Sequence, residues 1–291
     1  MSGDSYERVL IAGCGKIGTR LGEELASRGE AVWGLRRQRV QLPSPLKSLT
    51  ADLGVPESLQ AIPAGITRVY YLATPNAYTD AAYGMTYVDG LRNLLQALAD
   101  QGQTPRRVIF VSSTAVYAQQ SGEWVDEASP TEPTGFSGQR LLEAERLLQR
   151  GRFPGLVVRF GGIYGRGRNA MLRKVQAGEP CHAEPSLYTN RIHEDDCVGV
   201  LCHLGRLASP KDIYIAVDDA PCTQCELMDW LAEQLDRPKP ARTTAAKDTP
   251  RAGSKRCCNA RLKASGYALR FPTYREGYRA MLTSNRTDSA K

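Results

Sequence analysis

The 291-residue chain lacks any apolar run approaching the roughly 18 residues that a membrane-spanning helix needs, so the sequence predicts no membrane contact. It also lacks the pattern of a signal peptide, because residues 1–7 are polar and lead directly into an apolar stretch. Hydrophobic residues make up 42% of the chain and charged residues 24%, which is ordinary for a globular protein. These features predict a soluble, cytoplasmic protein.

The sequence offers no recognisable metal site. Cys222-Thr223-Gln224-Cys225 has the spacing of a metal or redox pair, but no second pair accompanies it. The three histidines of the chain show no ligand spacing to these thiols. A helix start that carries two thiols is the preferred interpretation, and all eight cysteines are expected to be reduced, as is usual in cytosol.

Acidic residues are scarce at the end of the chain. Residues 237–291 hold 14 Lys and Arg against 3 Asp and Glu, whereas residues 1–236 hold 24 against 28. A basic region of this kind favours an anionic small-molecule ligand through its local potential, although a solvated tail would have the same composition. Because no nucleic-acid-binding motif is interleaved with the basic residues, a nucleic-acid partner is not predicted.

Short apolar runs alternate with helical patterns over the first 160 residues. This alternation predicts an α/β fold, a doubly wound and mostly parallel Rossmann sheet with a small C-terminal substrate lid. The expected domains are a dinucleotide-binding core at 1–160, the remaining sheet elements and the lid at 161–283, and a flexible tail at 284–291. Strands are predicted at 9–12, 31–35, 69–73, 108–111 and 156–160, helices at 16–28, 80–100, 138–149 and 274–281, and a loop at 238–254.

A glycine-rich turn, Gly13-Cys14-Gly15-Lys16-Ile17-Gly18, lies between the first predicted strand and the first predicted helix. Gly13 permits a tight turn, Gly15 allows backbone to approach a pyrophosphate, and Gly18 lets the helix pack on the strand. The N–H groups around Lys16 and Ile17 then face the phosphates. This context predicts a dinucleotide-binding site.

The end of the second predicted strand lacks the acidic residue that binds the ribose 2′-hydroxyl in NAD sites. Arg36 and Arg37 stand there instead. Two guanidinium groups suit a 2′-phosphate by charge and by geometry. The sequence therefore predicts NADP as the cofactor, with NAD as the alternative.

Five further stretches follow the turn in a fixed order: Thr50–Leu53, Tyr70–Thr74, Ser112-Ser113-x-x-Val116-Tyr117, Arg159-x-x-x-x-Tyr164-Gly165 and Ile192-His193-x-Asp195-Asp196. From about residue 8 to 281 the chain resembles the extended short-chain dehydrogenase/reductase superfamily, in its NAD-dependent epimerase/dehydratase group. The resemblance implies that Asp52 and Leu53 meet the adenine, that Ala73 and Thr74 line the cofactor, and that Ser113 takes the family's catalytic Ser/Thr position.

One family motif is missing. Members usually carry Tyr-x-x-x-Lys after the serine, where the tyrosine is the general acid/base and the lysine holds the nicotinamide ribose. This chain has Phe136 and Arg140 in those places. Such degenerate motifs occur in the atypical subgroup of the superfamily, and within it the chain resembles the YeeZ-like proteins. Arg140 could still bind ribose hydroxyls, but a guanidinium is no base at neutral pH.

The loss of the tyrosine leaves two functions open. The first is an NAD(P)-dependent oxidoreductase acting on a nucleotide-sugar or similar carbonyl/hydroxyl substrate, in which Ser113, Arg140 and a substitute phenol at Tyr164 form the catalytic set. Tyr117 is more easily explained by packing, and His193 by a structural role at a helix start. The alternative is a non-catalytic NADP(H)-binding sensor or regulatory protein. The resemblance also implies a possible homodimer, formed through helices near 81–98 and 138–149.

Overall fold

The computed structural model describes residues 7–244 and 253–288 of the chain. The strands of these residues are β1 (Arg8–Ala12), β2 (Ala31–Arg36), β3 (Lys47–Thr50), β4 (Arg68–Tyr71), β5 (Arg107–Ser113), β6 (Glu123–Val125), β7 (Gly155–Phe160), β8 (Gly162–Tyr164), β9 (Cys181–His182), β10 (Tyr188–Thr189), β11 (Arg191–His193), β12 (Ile213–Ala216), β13 (Cys222–Thr223), β14 (Arg242–Thr243) and β15 (Lys255–Cys257). The helices are α1 (Lys16–Ala26), α2 (Asp80–Tyr83), α3 (Gly90–Asp100), α4 (Phe136–Gln149), α5 (Ala170–Gln176), α6 (Glu194–Arg206), α7 (Gln224–Gln234), α8 (Ala260–Ala264) and α9 (Tyr274–Asp288).

The main sheet has seven strands in the order β12-β7-β5-β4-β1-β2-β3. The pairings of β1 with β2 and β4, of β2 with β3 and of β4 with β5 are parallel. The chain builds outward from β1 in one direction and then returns to its other side with β4, so the strand order reverses between β1 and β4. The predicted fold class, a doubly wound parallel α/β sheet, is confirmed.

The central strand β1 shows why the sheet forms. Val9, Leu10, Ile11 and Ala12 are fully buried, as expected for a parallel strand covered on both faces. A helical stretch of residues 80–100 follows β4 and consists of α2, a π-helical segment at Gly84–Asp89 and α3.

The residues divide into two compact units. The first contains residues 7–116, Pro133–Arg159 and Val198–Ile213, and the second contains Tyr117–Glu132, Phe160–Cys197, 214–244 and 253–288. Each unit is assembled from several segments of the chain, and the predicted division at residue 160 stays a prediction.

Two buried arginines complete the first unit. Arg68 is fully buried, forms an ion pair with Glu30 and donates to the carbonyl of Gly205 at 3.1 Å. Arg107 donates to the carbonyls of Leu204, Gly205 and Leu207 at 3.1, 3.2 and 2.7 Å. The guanidinium groups of Arg68 and Arg107 thus donate to carbonyls at the C-terminal end of α6, where positive charge is favourable.

The second unit contains four two-stranded pairings: β10 with β13, β11 with β8, β14 with β9, and β15 with β6. Its apolar core includes Tyr164, Leu227, Leu231 and Tyr278. The predicted loop at 238–254 contains β14, and its residues 245–252 lie outside the described part of the chain. Helix α9 continues to Asp288, seven residues beyond its expected end and into the predicted tail.

Within the described residues, no helix combines the length and the apolar content that crossing a bilayer requires.

Candidate cofactor site

Gly13 occupies the turn between β1 and α1 with a φ of +80°, a conformation that favours glycine. A Cβ at Gly13 would lie 2.3 Å from the backbone nitrogen of Ala73, which follows β4. The N–H groups of Gly13 and Cys14 both donate to the carbonyl of Leu35 in β2 at 3.1 Å. The turn therefore ties the carboxyl ends of β1, β2 and β4 together, beside the point where strand order reverses.

The start of α1 is open. Gly15 is the N-cap residue, and no side chain accepts a hydrogen bond there. A Cβ at Gly15 would meet no atom within 4 Å, whereas one at Gly18 would lie 3.1 Å from the Ile11 side chain, so α1 packs closely on β1. Lys16 is exposed and Ile17 half-buried at this end. Open space next to free helix N–H groups fits a bound pyrophosphate, so these residues are suited to a dinucleotide.

The two arginines after β2 differ in exposure. Arg36 is the last residue of β2 and is half-buried, while Arg37 is exposed. Arg36 directly follows Leu35, whose carbonyl accepts from the N–H groups of Gly13 and Cys14 at 3.1 Å. Burial raises the pKa of the Cys14 thiol, and the charge of Arg36 opposes this shift. Arg36 therefore lies beside the glycine turn, which is where an adenosine 2′-phosphate would need a cation.

Asp52 and Leu53 follow β3 and are both half-buried. The Asp52 carboxylate accepts from the backbone N–H of Gly54 at 2.9 Å. The carbonyl of Leu53 accepts from the Asn93 side chain at 2.9 Å. On the other side of β1, Ala73 is half-buried and Thr74 is exposed. These four residues thus follow the carboxyl ends of two strands of the same parallel sheet.

Ser113 is the last residue of β5 and is half-buried. Its hydroxyl accepts from the backbone N–H of Ala115 at 3.2 Å. The first turn of α4 is pressed against this loop, because a Cβ at Gly138 would lie 2.4 Å from the Ala115 carbonyl oxygen. The head of α4 and the end of β5 are therefore neighbours, and the catalytic role of Ser113 stays a prediction.

Arg140 is held by two carboxylates. Its Nε and Nη2 donate to the two carboxylate oxygens of Asp80 at 2.7 and 2.9 Å, and its Nη1 donates to Glu143 at 2.9 Å. Hydrogen bonds to both acids raise the pKa of Arg140, and the bond from Arg140 lowers the pKa of Asp80. All three guanidinium nitrogen atoms of Arg140 thus donate to Asp80 or Glu143. The predicted contact of Arg140 with a ribose stays a prediction.

Phe136 heads α4 within an aromatic cluster that the sequence alone did not predict. Its ring centroid lies 4.8 Å from that of Tyr78 and 5.4 Å from that of Tyr83. The Tyr78 hydroxyl is 3.4 Å from the hydroxyl of Ser137. The one signal in the sequence was the repeated tyrosine at 78, 83 and 87. Two phenols therefore surround the position where the family motif would place one.

The substitute groups considered in the sequence lie in the second unit. Tyr164 is buried, and its ring stacks on that of Tyr278 with centroids 4.4 Å apart. Burial raises the pKa of Tyr164, and the negative charge of Asp218 raises it further. The Tyr117 hydroxyl donates to the carbonyl of Asp126 at 2.8 Å. His193 is buried, and its Nδ1 accepts from the N–H of Asp195 at 3.2 Å. The catalytic role of Tyr164 stays a prediction.

The cysteines depart from the expectation that all are reduced. Cys181 of β9 is bonded to Cys225 of α7, with the two Cα atoms 5.3 Å apart. Cys222, the other member of the predicted pair, is a buried free thiol. No group of three or more His, Cys, Asp or Glu side chains that could hold a metal occurs in the described ranges. The spacing of Cys222 and Cys225 thus reflects one disulfide partner and one packed thiol.

Comparison with known proteins places the chain among its relatives. The sequence model of the NAD-dependent epimerase/dehydratase family matches residues 9–196. A solved structure from Methylobacillus flagellatus, assigned to the NAD-dependent epimerases/dehydratases, is 37% identical, with a TM-score of 0.80, and the match covers 97% of this chain and 100% of that one.

Two curated proteins are also similar. The 3-diazoavenalumate denitrifying reductase of a Streptomyces species is 28% identical over 268 residues, which is 84% of this chain and 86% of the reductase. Protein YeeZ of Escherichia coli is 32% identical over 126 residues, 42% of this chain and 43% of YeeZ. The resemblance drawn from the sequence is confirmed. With an open glycine turn at the strand-order reversal and a family match over residues 9–196, the chain belongs to the NAD-dependent epimerase/dehydratase family, a family of oxidoreductases.

Proposed function

We propose that this chain is an NADP(H)-dependent oxidoreductase that interconverts a carbonyl and a hydroxyl on a nucleotide-sugar or a similar small molecule. One observation carries the proposal: the open space over Gly15 at the uncapped start of α1, with Arg36 directly after Leu35, whose carbonyl accepts from the N–H groups of Gly13 and Cys14. Such a cradle suits a pyrophosphate whose adenosine end carries a further phosphate.

Each part of the site has a role in this proposal. The N–H groups of the α1 start bind the pyrophosphate, while Arg36 and Arg37 bind the 2′-phosphate. Asp52 and Leu53 meet the adenine, and the backbone of Ala73 and Thr74 lines the middle of the cofactor. When bound, the nicotinamide exchanges a hydride with the substrate carbon.

Side chains of the protein must then position the substrate oxygen and exchange a proton with it. Ser113 orients that oxygen through its hydroxyl, which extends from the carboxyl end of β5. The family resemblance suggests Arg140 for the contact with the nicotinamide ribose and Tyr164 for the phenol, whereas the hydrogen bonds of Arg140 to Asp80 and Glu143 favour a positioning role for this arginine. A positioned acid/base group contributes about 10²- to 10⁴-fold to a proton-coupled step, so the identity of this group decides how active the enzyme is.

The proposal extends to partners and location. The basic balance of residues 237–291 favours an anionic substrate. Two copies of the chain would pair through the helical residues 81–98 and 138–149. We place the protein in the cytoplasm, with no nucleic-acid partner.

Isothermal titration calorimetry with NADP⁺ and NAD⁺ tests the cofactor assignment. The native chain is expected to bind NADP⁺ more tightly than NAD⁺. In the Arg36→Ala/Arg37→Ala variant, NADP⁺ affinity is expected to fall about 10- to 100-fold, as the loss of charge-assisted hydrogen bonds implies, with little change for NAD⁺. Arg150→Ala, which removes an exposed arginine at the end of α4, is the matched control. Equal losses for both cofactors would refute the 2′-phosphate assignment.

A non-catalytic NADP(H) sensor is the second candidate. Phe136 has no ionisable group, and the charge of Arg140 is already balanced by Asp80 and Glu143, which favours this alternative. The variant Phe136→Tyr/Arg140→Lys separates the two functions. NADPH oxidation is followed at its absorption maximum with a panel of keto nucleotide-sugars. Turnover by the native chain supports the enzyme, whereas turnover by the variant alone supports the sensor.

A further inference from the structure

Reduction of a carbonyl needs a proton donor at the substrate oxygen as well as a hydride at the carbon. In a doubly wound sheet, ligands bind beyond the carboxyl ends of the strands at the reversal of strand order. With the pyrophosphate on α1 and the adenosine toward β2, the reactive end of a dinucleotide points toward the ends of β4 and β5. A donor within the first unit must therefore follow one of these strands.

Tyr78 meets this requirement. It follows the last residue of β4 by seven positions, and its ring packs on Phe136 at the head of α4 with centroids 4.8 Å apart. Its hydroxyl lies 3.4 Å from that of Ser137, in the first turn of the 14-residue helix α4. Tyr78 is an exposed residue, with 41% of its surface accessible to solvent.

The segment that carries Tyr78 is fixed to α4. Thr79 caps α2, because its hydroxyl accepts from the N–H of Ala82 at 3.2 Å. Asp80 receives both donors of the Arg140 fork. Tyr78 is thus held on one side by a ring contact with Phe136 and on the other by an ion pair two residues away. A side chain held in this way is preorganised to a degree that a lone surface tyrosine is not.

The neighbouring phenols of the first unit are less suited. Tyr83 is half-buried and lies edge-on to both Phe136 and Tyr87. Burial raises the pKa of Tyr87. Tyr71 is fully buried, its hydroxyl donates to the carbonyl of Thr86 at 2.5 Å, and burial raises its pKa as well. Tyr78 is an exposed residue of the cluster, and its hydroxyl lies at the head of α4.

We propose that Tyr78 is the catalytic acid/base of this chain, replacing the phenol that is missing at Phe136, and that Arg140 is a positioning residue acting through Asp80. The inference rests on the proposed oxidoreductase function and names its proton donor.

The proton balance is simple. As the carbonyl π bond breaks, Tyr78 Oη gives its proton to the substrate oxygen, which becomes a hydroxyl. The phenolate left behind recovers a proton from water. Partial positive charge at the start of α4 stabilises that phenolate. In the oxidation direction the same atom accepts the hydroxyl proton and releases it to water.

A spectroscopic probe tests the placement without turnover. In Tyr78→3-nitrotyrosine the phenol ionises near neutral pH, and its absorption reports that ionisation. Bound NADP⁺ carries a positive nicotinamide, which is expected to increase nitrophenolate absorption at position 78, whereas NADPH, with a neutral ring, leaves it unchanged. The matched control is 3-nitrotyrosine at position 83, where no cofactor-dependent change is expected. An unchanged spectrum at position 78 while calorimetry shows NADP⁺ binding would overturn the inference.

A kinetic series tests the role. With a substrate from the keto nucleotide-sugar panel, Tyr78→Phe is expected to lower kcat about 10²- to 10⁴-fold, to remove the high-pH limb of the rate profile and to leave NADP⁺ affinity unchanged. Tyr83→Phe keeps the native profile. Adding Phe136→Tyr to Tyr78→Phe restores part of the rate, because a phenol returns to the same cluster.

The opposite results are equally clear. Full activity in Tyr78→Phe, or loss of the pH limb in Tyr164→Phe instead, would refute Tyr78. If the native chain binds neither NADP⁺ nor NAD⁺ by calorimetry, both the proposed function and the assignment of Tyr78 are refuted. A silent probe with bound cofactor, in contrast, refutes Tyr78 alone.

Discussion

Arg140 donates two hydrogen bonds to the carboxylate of Asp80 and forms a fork with it, although 60 residues separate them in the sequence. The arginine stands where the family motif has a lysine, and the aspartate opens the helical stretch after β4. The fork therefore joins α2 to α4. It assigns Arg140 a mechanical role that is independent of any cofactor contact.

Removal of the arginine is expected to change the titration of its partner. The hydrogen bond from Arg140 lowers the pKa of Asp80, so Arg140→Ala should raise that pKa toward the ordinary value for aspartate. A carboxylate with a lowered pKa stabilises the folded state above its unfolded pKa, and this contribution disappears as the pH falls through the folded pKa. NMR titration of the Asp80 carboxyl measures the effect, with Arg150→Ala as control. An unchanged Asp80 titration would show that the fork is not formed in solution.

Two glycines of the turn should respond differently to alanine. Gly15→Ala places a methyl group in open space on an extended backbone, so the melting temperature should stay within about 1 °C, whereas dinucleotide affinity should fall at least about tenfold. Gly13→Ala forces a Cβ against Ala73 at a positive φ and should destabilise the fold by about 1–3 kcal/mol. Calorimetry and thermal unfolding separate the two effects. Unaltered NADP⁺ affinity in Gly15→Ala would contradict the cradle.

A buried ion pair between Glu145 and Arg159 links α4 to β7. Glu145 and Arg159 are 1% and 3% exposed and pair at 2.6 Å, and Ser112 donates to Glu145 at 2.6 Å. Since breaking such a pair leaves an uncompensated charge, Arg159→Met should lower the free energy of unfolding by about 3–5 kcal/mol. Glu145→Leu combined with Arg159→Met should recover much of this loss. Urea denaturation measures both, and a cost below about 1 kcal/mol for the single variant would contradict the expectation.

Asp218 should make stability depend on pH. Burial raises its pKa to about 8, despite hydrogen bonding from the N–H of Ala220 and the charge of Arg191. The folded state therefore holds a proton that the unfolded state has lost, and stability should decline as the pH rises toward 8, with a slope of at most about 1.4 kcal/mol per pH unit. Asp218→Asn should remove this slope, whereas Asp219→Asn should retain it. Urea denaturation at pH 5, 6, 7 and 8 provides the comparison, and parallel curves for native chain and Asp218→Asn would refute the burial effect.

The Cys181–Cys225 bond closes a loop with a sequence separation of 44 residues. Its reduction should lower the free energy of unfolding by roughly 4 kcal/mol, according to the loop-entropy relation. Dithiothreitol should therefore lower the melting temperature of the native chain but not that of Cys181→Ser/Cys225→Ser. Cys258→Ser, which alters a half-buried free thiol, is the control. An unchanged melting temperature of the native chain in dithiothreitol would show that these thiols are not bonded in solution.

Local signals explain what could be predicted from the sequence. The β1–turn–α1 unit depends on residues within 20 positions of one another, and Gly13 adopts the positive φ of a tight turn, while the contact of Gly15 with a pyrophosphate stays a prediction. Strand β3 was missed because its sequence, Lys47 to Thr50, is short, polar and mostly exposed at the sheet edge. Strand β12 was missed because a four-residue apolar run has no distinguishing period.

Contacts between distant segments could not be predicted. Tyr78 and Phe136 are 58 positions apart, and nothing in either neighbourhood specifies the other. The disulfide was missed for the same reason, since spacing alone does not reveal connectivity. The sequence indicated a missing phenol at Phe136, but only the fold shows that Tyr78 and Tyr83 pack beside it.

The interleaving of the two units limits how the protein can be divided for expression. A fragment ending at residue 160 would contain the glycine turn but lack β12, the outermost strand of the sheet. It would also lack Gly205, whose carbonyl accepts from both Arg68 and Arg107. Two buried guanidinium groups would lose acceptors, so crystallisation or binding studies call for the complete polypeptide and not for an isolated nucleotide-binding half.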